Sequence, residues 1–85
     1  GYNQIKRIVD LAKNESIRVN ISSLLESNVG RRYNLHLCSA LNIEEASGIA
    51  TEMLFKSDLC GFPLSLNGTL QIDKKFGLGI DEINI

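Results

Sequence analysis

Three residues with reactive side chains lie close together in the middle of the chain: Asn34, His36 and Cys38. Residues two apart share one face of a β-strand, so on a strand His36 and Cys38 would form the kind of pair that catalyses by nucleophilic attack. On a helix the same side chains diverge. A lone histidine beside apolar residues is more often structural, and the sequence places no carboxylate to orient it. We therefore predict that the protein is not an enzyme.

The sequence offers few ligands for a metal or a cofactor. Cys38, Cys60, His36 and Asp58 could supply four ligands, but their spacing matches no compact zinc pattern such as paired Cys-x-x-Cys. The segment 77–79, Gly-Leu-Gly, lacks the third glycine and the strand–turn–helix setting of a phosphate-binding loop. We predict that the protein has no metal and no cofactor.

Two stretches have the apolar spacing of an amphipathic helix. Ile5, Ile8, Val9 and Ala12 predict a helix over residues 3–15 with this stripe facing the core. A second helix is predicted from Asn42 to about Asp58, on an arc formed by Ile43, Ala46, Ile49, Ala50, Met53 and Leu54. The segment 31–41 fits both strand and helix spacing, and the helix is favoured.

Shorter elements are predicted around these helices. Residues 16–21 alternate polar and apolar, as a half-buried strand does. Residues 23–26 have the Ser-x-x-Glu form of a capping box, which predicts a brief helix closed by Gly30. Asn67-Gly68 lies between two strand-like runs and suits the positive φ angles of a type I′ turn, so residues 64–72 predict a hairpin.

This order of elements, with a C-terminal hairpin, resembles the winged helix-turn-helix superfamily. The resemblance covers residues 3–73, in which residues 64–73 are similar to the family's wing and residues 74–85 follow as a C-terminal arm. It implies a mixed α/β (α+β) fold, a small winged-helix-like domain of helices plus a C-terminal β-hairpin. Since 85 residues can support only one core, we expect a single domain over residues 1–85. Between Arg31 and Leu59 the chain departs from the family, because it has room for two elements where the family has one recognition helix.

Basic residues are concentrated in the first half of the chain, although the net charge is −1. Residues 1–42 carry six Lys and Arg against three Asp and Glu, and residues 43–85 carry three against seven. The resemblance and this asymmetry together predict a module that binds nucleic acid, most simply DNA in a regulatory or replication context. The residues predicted to contact it are Arg31, Arg32, Asn34, Lys6, Lys13 and Arg18. The side chains of Arg31 and Arg32 are expected to be exposed. The competing interpretation is that these are ordinary solvated charges.

The alternative function is a protein-interaction or dimerisation module that binds no nucleic acid. The outer face of the predicted second helix is acidic, so it would repel phosphate, and it carries Phe55 as a candidate anchor for a protein partner. Phe55 could instead pack under the hairpin or the tail, and the apolar tail is the other candidate contact.

Location is read from the cysteines and from the hydropathy pattern. The two cysteines are too few for a disulfide scaffold, so we expect them to be reduced and the protein to be cytoplasmic, with no membrane partner. Three Asn-x-Ser/Thr sequons, at Asn14, Asn20 and Asn67, leave a secreted protein as the alternative. A leading Gly without Met suggests a piece of a longer protein.

Overall fold

The computed structural model is mostly helical. It describes residues 1–49, 56–63, 67–72 and 74–84. Within these ranges the regular structure consists of two helices, α1 (Tyr2–Asn14) and α2 (Asn28–Ala40), and an isolated parallel bridge joins Ser22 to Gly48. The described ranges contain no sheet, so the prediction of a mixed α/β winged-helix-like fold with a C-terminal β-hairpin is wrong. Nor does this part of the chain hold a helix with the length and apolarity that a bilayer crossing requires.

Helix α1 forms where the apolar spacing predicts it. Val9 and Ala12 are buried, whereas Ile8, which was predicted to face the core, is exposed. The helix ends in a Schellman motif, in which Ser16 adopts a left-handed φ of 57° and the amide of Ile17 donates to the carbonyl of Ala12 at 2.8 Å. The prediction of a strand over residues 16–21 is wrong, because this motif turns the chain at Ser16 and the residues after it form a loop.

Helix α2 covers the ambiguous segment, so the helix favoured there is confirmed as far as Ala40. The prediction of a brief helix at residues 23–26 is wrong. The carboxylate of Glu26 closes a loop instead, since Glu26 Oε1 accepts the amide of Leu24 at 3.2 Å. Gly30 was predicted to end a helix but lies inside α2, where Glu26 packs over it; a Cβ on Gly30 would come within 2.6 Å of Glu26 Oε2.

A second Schellman motif ends α2. Asn42 adopts a φ of 52°, and the amide of Ile43 donates to the carbonyl of Cys38 at 2.9 Å. The chain then runs as a loop to Gly48, whose amide donates to the carbonyl of Ile21 at 3.0 Å. The prediction of a helix beginning at Asn42 is therefore wrong for residues 42–49. Residues 50–55 of the predicted helix lie outside the described residues.

The described part of the predicted hairpin contains its turn. Asn67 and Gly68 have positive φ angles of 53° and 76°, as a type I′ turn requires. Thr69 forms a single β-bridge, and residues 70–72 form no strand, whereas residues 64–66 lie outside the described residues. The C-terminal arm has no regular structure in residues 74–84, and the amide of Asn84 donates to the carbonyl of Leu59 at 2.6 Å.

The core lies where α1 meets the second half of α2. Val9, Leu37 and Leu41 form the buried cluster, and the partly buried side chains packed against it are Ile5, Val19, Ile21 and Ile43. Residues from both helices and from both adjoining loops thus contribute to one apolar cluster. This packing supplies part of the hydrophobic free energy that stabilises the first half of the chain.

Two arginines in the first half of α2 are buried as well. Arg31 is 0% exposed and Arg32 is 9% exposed. Arg31 Nε donates to the carbonyl of Ile49 at 2.9 Å, and its guanidinium lies 3.8 Å from the ring centroid of Phe62. Arg32 donates to the carbonyls of Gly61 at 2.8 Å and Leu78 at 3.1 Å. The two side chains therefore fasten three separate loop segments to α2.

Removing the Arg31 side chain should destabilise the fold. We expect Arg31→Ala to lower the free energy of unfolding by about 2–4 kcal/mol, because the buried carbonyl of Ile49 and the side chain of Asn28 lose their donor. The control is Arg18→Ala, whose side chain is 86% exposed and whose effect should stay within about 0.5 kcal/mol. Urea unfolding followed by helical circular dichroism measures both, and equal small losses would contradict the role given to Arg31.

Candidate functional site

Two of the residues predicted to read bases, Arg31 and Arg32, are buried, and the third, Asn34, is half-buried. Arg31 and Arg32 donate to main-chain carbonyls, and Asn34 Nδ2 donates to Ser23 Oγ at 3.1 Å and to Glu26 Oε1 at 3.0 Å. A side chain that reads a base edge must project from the protein surface into the groove of the nucleic acid. These three side chains hold loops onto α2, so the expectation that both arginines are exposed is wrong.

The other three predicted basic contacts are on the surface, each beside a partner within the molecule. Lys6 Nζ lies 2.9 Å from Asp10 Oδ2, and this hydrogen bond, together with the carboxylate's charge, raises the pKa of Lys6. Arg18 Nε lies 3.9 Å from Glu45 Oε1, and Lys13 Nζ donates to the carbonyl of Leu41 at 3.1 Å. The structure does not bring these residues together with Arg31 and Arg32, and nucleic-acid binding stays a prediction.

The reactive residues of the middle segment lie on α2, where they do not converge. His36 and Cys38 are two apart, so their directions around the helix differ by about 200°. Cys38 Sγ lies 3.7 Å from Ser47 Oγ, and partial burial raises the pKa of the Cys38 thiol. Cys60 is also a free thiol and is buried. The residues that the structure describes hold no group of three or more His, Cys, Asp or Glu placed to bind a metal ion.

A cleft of about 320 Å³ opens beside the last turn of α1. Its walls are α1 and the two loops that follow the helices, and we call it the α1 cleft; its lining is Val9, Lys13, Ile17, Arg18, Val19, Asn42, Ile43, Glu44 and Glu45. Both loops are set by the Schellman motifs, because the left-handed residues Ser16 and Asn42 turn the chain back along the helix ends. The helix ends thus determine the shape of the cleft.

The α1 cleft has an apolar floor and a charged rim. Val9 is a core residue, and Val19 and Ile43 pack against the core, so the floor is continuous with the hydrophobic interior. Ile17 is 61% exposed and extends the apolar surface outward. Lys13 of α1 and Arg18 of the loop after it contribute cations, and the 42–45 loop contributes two carboxylates.

Such a lining binds an apolar group and orients it with a few polar contacts. Sequence reasoning missed this site, because the alternation of Ile17, Val19 and Ile21 indicated one buried strand face. The signal it lacked is the left-handed conformation of Ser16, which leaves Ile17 exposed while Val19 packs inward. Phe55, the predicted protein contact, lies outside the described residues. No family model, curated protein or solved structure matches this chain.

The raised pKa of Cys38 should make its thiol a poor nucleophile. At neutral pH we expect iodoacetamide to alkylate Cys38 more slowly in the folded protein than in the chain unfolded by urea. Alkylation of the folded protein should accelerate at a higher pH than for an ordinary thiol, because the thiolate is the reactive form. Peptide mass mapping separates Cys38 from Cys60. Equal rates for the folded and the unfolded chain would contradict this assignment.

Proposed function

We propose that the protein is a protein-interaction module that receives an apolar side chain of a partner polypeptide in the α1 cleft. The observation that carries the proposal is the continuity of the cleft floor with the core, with the exposed side chain of Ile17 at its edge. An apolar surface that stays in contact with water is stabilised when another apolar group covers it.

The charged rim suits a peptide main chain on either side of that apolar residue. Asn42 and Lys13 carry donors for peptide carbonyls, and Glu44 carries acceptors for peptide amides. Arg18 and Glu45 lie 3.9 Å apart, so a peptide reaches these two groups in competition with their own ion pair. Lys13 uses one donor on the carbonyl of Leu41, and an ammonium group has three. A peptide therefore meets complementary groups on both walls without needing a charge of its own.

The size of the contact sets its strength. Covering the exposed part of one isoleucine contributes roughly 1–2 kcal/mol, which is small beside the cost of association. The anchor residue alone therefore binds weakly, and main-chain contacts along the rim must supply the rest. This favours a peptide over a free small molecule, because a peptide extends beyond the cleft on both sides.

Nucleic-acid binding receives less support. Two of its six predicted residues are buried, and two of the surface residues lie beside carboxylates. A phosphate backbone is bound by concentrated positive charge, and these pairs reduce that charge. A cytoplasmic location likewise stays a prediction, supported by the two free thiols.

The proposal is tested by selecting peptides from a random library displayed on phage, with the whole chain as bait. We expect the selected peptides to share an aliphatic or aromatic residue. Their affinity for Ile17→Gln, measured by fluorescence anisotropy, should be about five- to thirtyfold weaker, since the variant loses roughly 1–2 kcal/mol of apolar contact.

The matched control is Ile83→Gln. Ile83 is 57% exposed, a fraction similar to the 61% of Ile17, but it does not line the α1 cleft. This variant should therefore bind the selected peptides as the original chain does. Peptides that bind Ile17→Gln unchanged, or the failure of any peptide to be selected, would refute the proposal. A labelled DNA duplex is titrated in parallel, and binding that weakens steeply with salt would instead establish nucleic-acid binding.

A further inference from the structure

The outer side of α1 carries an apolar stripe whose side chains are largely exposed. Ile8 is 62% exposed and Leu11 is 64% exposed, and they lie one turn apart on the helix. Gln4 and Glu15, both exposed, continue the same line toward the two ends. The spacing of these four residues is 4, 3 and 4, which places them in one narrow seam of the kind that joins paired helices. We call Gln4, Ile8, Leu11 and Glu15 the outer stripe.

We propose that the outer stripe pairs with the same stripe of a second copy of this chain, with the two α1 helices antiparallel. A two-fold interface needs a surface that is complementary to itself. The outer stripe has this property, because its spacing reads the same in both directions and its apolar pair is central. In the antiparallel arrangement Ile8 lies opposite Leu11 of the second copy, and Gln4 lies opposite Glu15 of the second copy.

Charge selects the antiparallel arrangement over the parallel one. In a parallel pair the two Glu15 carboxylates would face each other, and like charges at that distance repel. In an antiparallel pair each Glu15 carboxylate accepts from the side-chain amide of Gln4 across the interface. The helix dipoles also oppose each other in this arrangement, which is favourable.

The pairing leaves the α1 clefts open. Val9 and Lys13 face the cleft, and they lie on the side of α1 away from the outer stripe. A dimer would therefore present two clefts, so that a partner carrying two apolar anchors gains affinity from the second site. The outer stripe covers far less than the roughly 800 Å² that each partner contributes to a standard stable interface, so the dimer is weak.

The test is sedimentation velocity of the whole chain from micromolar to millimolar concentration. We expect the sedimentation coefficient to rise with concentration toward that of a dimer. Ile8→Gln combined with Leu11→Gln should weaken this association at least tenfold. Ile17→Gln and Ile83→Gln are the matched controls and should leave it unchanged, because both residues are exposed isoleucines outside the outer stripe. Circular dichroism checks that each variant keeps its helices.

Substitution of Gln4 tests the direction of the two helices. Gln4→Lys should tighten an antiparallel dimer about two- to tenfold, because it places a cation opposite each Glu15, and high salt should remove the gain. In a parallel dimer the two introduced lysines would meet and loosen the association. A chain that stays monomeric at millimolar concentration, an unchanged double variant, or a Gln4→Lys variant that associates more weakly would each overturn the proposal. None of these outcomes bears on peptide binding in the α1 cleft, which is measured separately.

Discussion

The hydrogen bonds of two buried guanidinium groups connect the parts of this fold that lack regular structure. Arg31 and Arg32 reach carbonyls of Ile49, Gly61 and Leu78, which lie in three different loop segments. Loops of this kind have few backbone hydrogen bonds of their own, and their buried carbonyls need donors from elsewhere. An arginine presents five donors in a fixed planar fork, so one side chain can satisfy several carbonyls at once. Through these bonds α2 positions the segments around Ile49, Gly61 and Leu78.

The residues around the two arginines offset the cost of burying their charges. A buried charge is unfavourable unless it is well hydrogen-bonded. Asn28, one turn before Arg32, accepts from Arg31 and donates to the carbonyl of Cys60, and the ring of Phe62 covers the Arg31 guanidinium. Cation–π contact and hydrogen bonding together offset the loss of water. Residues that would otherwise suit a binding surface are therefore used for stability.

The ends of the two helices determine the course of the loops that border the α1 cleft. Both helices end in Schellman motifs built on residues other than glycine, Ser16 and Asn42, and both motifs turn the chain toward the core. The two loops that follow form the walls of the α1 cleft. Helix α1 is buried on the side of Val9, where it borders the α1 cleft. On the side of Ile8 it is exposed and presents the outer stripe.

Sequence alone predicted several local features: the extent of α1 with Val9 and Ala12 facing inward, and the turn at Asn67-Gly68. Each depends on periodicity or on the conformational preference of adjacent residues. The sequence favoured a helix for residues 31–40 without excluding a strand, and it wrongly placed Ile8 on the inner stripe. Only the tertiary structure decided that Arg31 and Arg32 are buried, because their acceptors lie 18, 29 and 46 residues further along the chain. It likewise decided that Ile17 is exposed and Val19 is not. Burial depends on contacts between distant residues, which no local pattern specifies, so the candidate site became visible only in the fold.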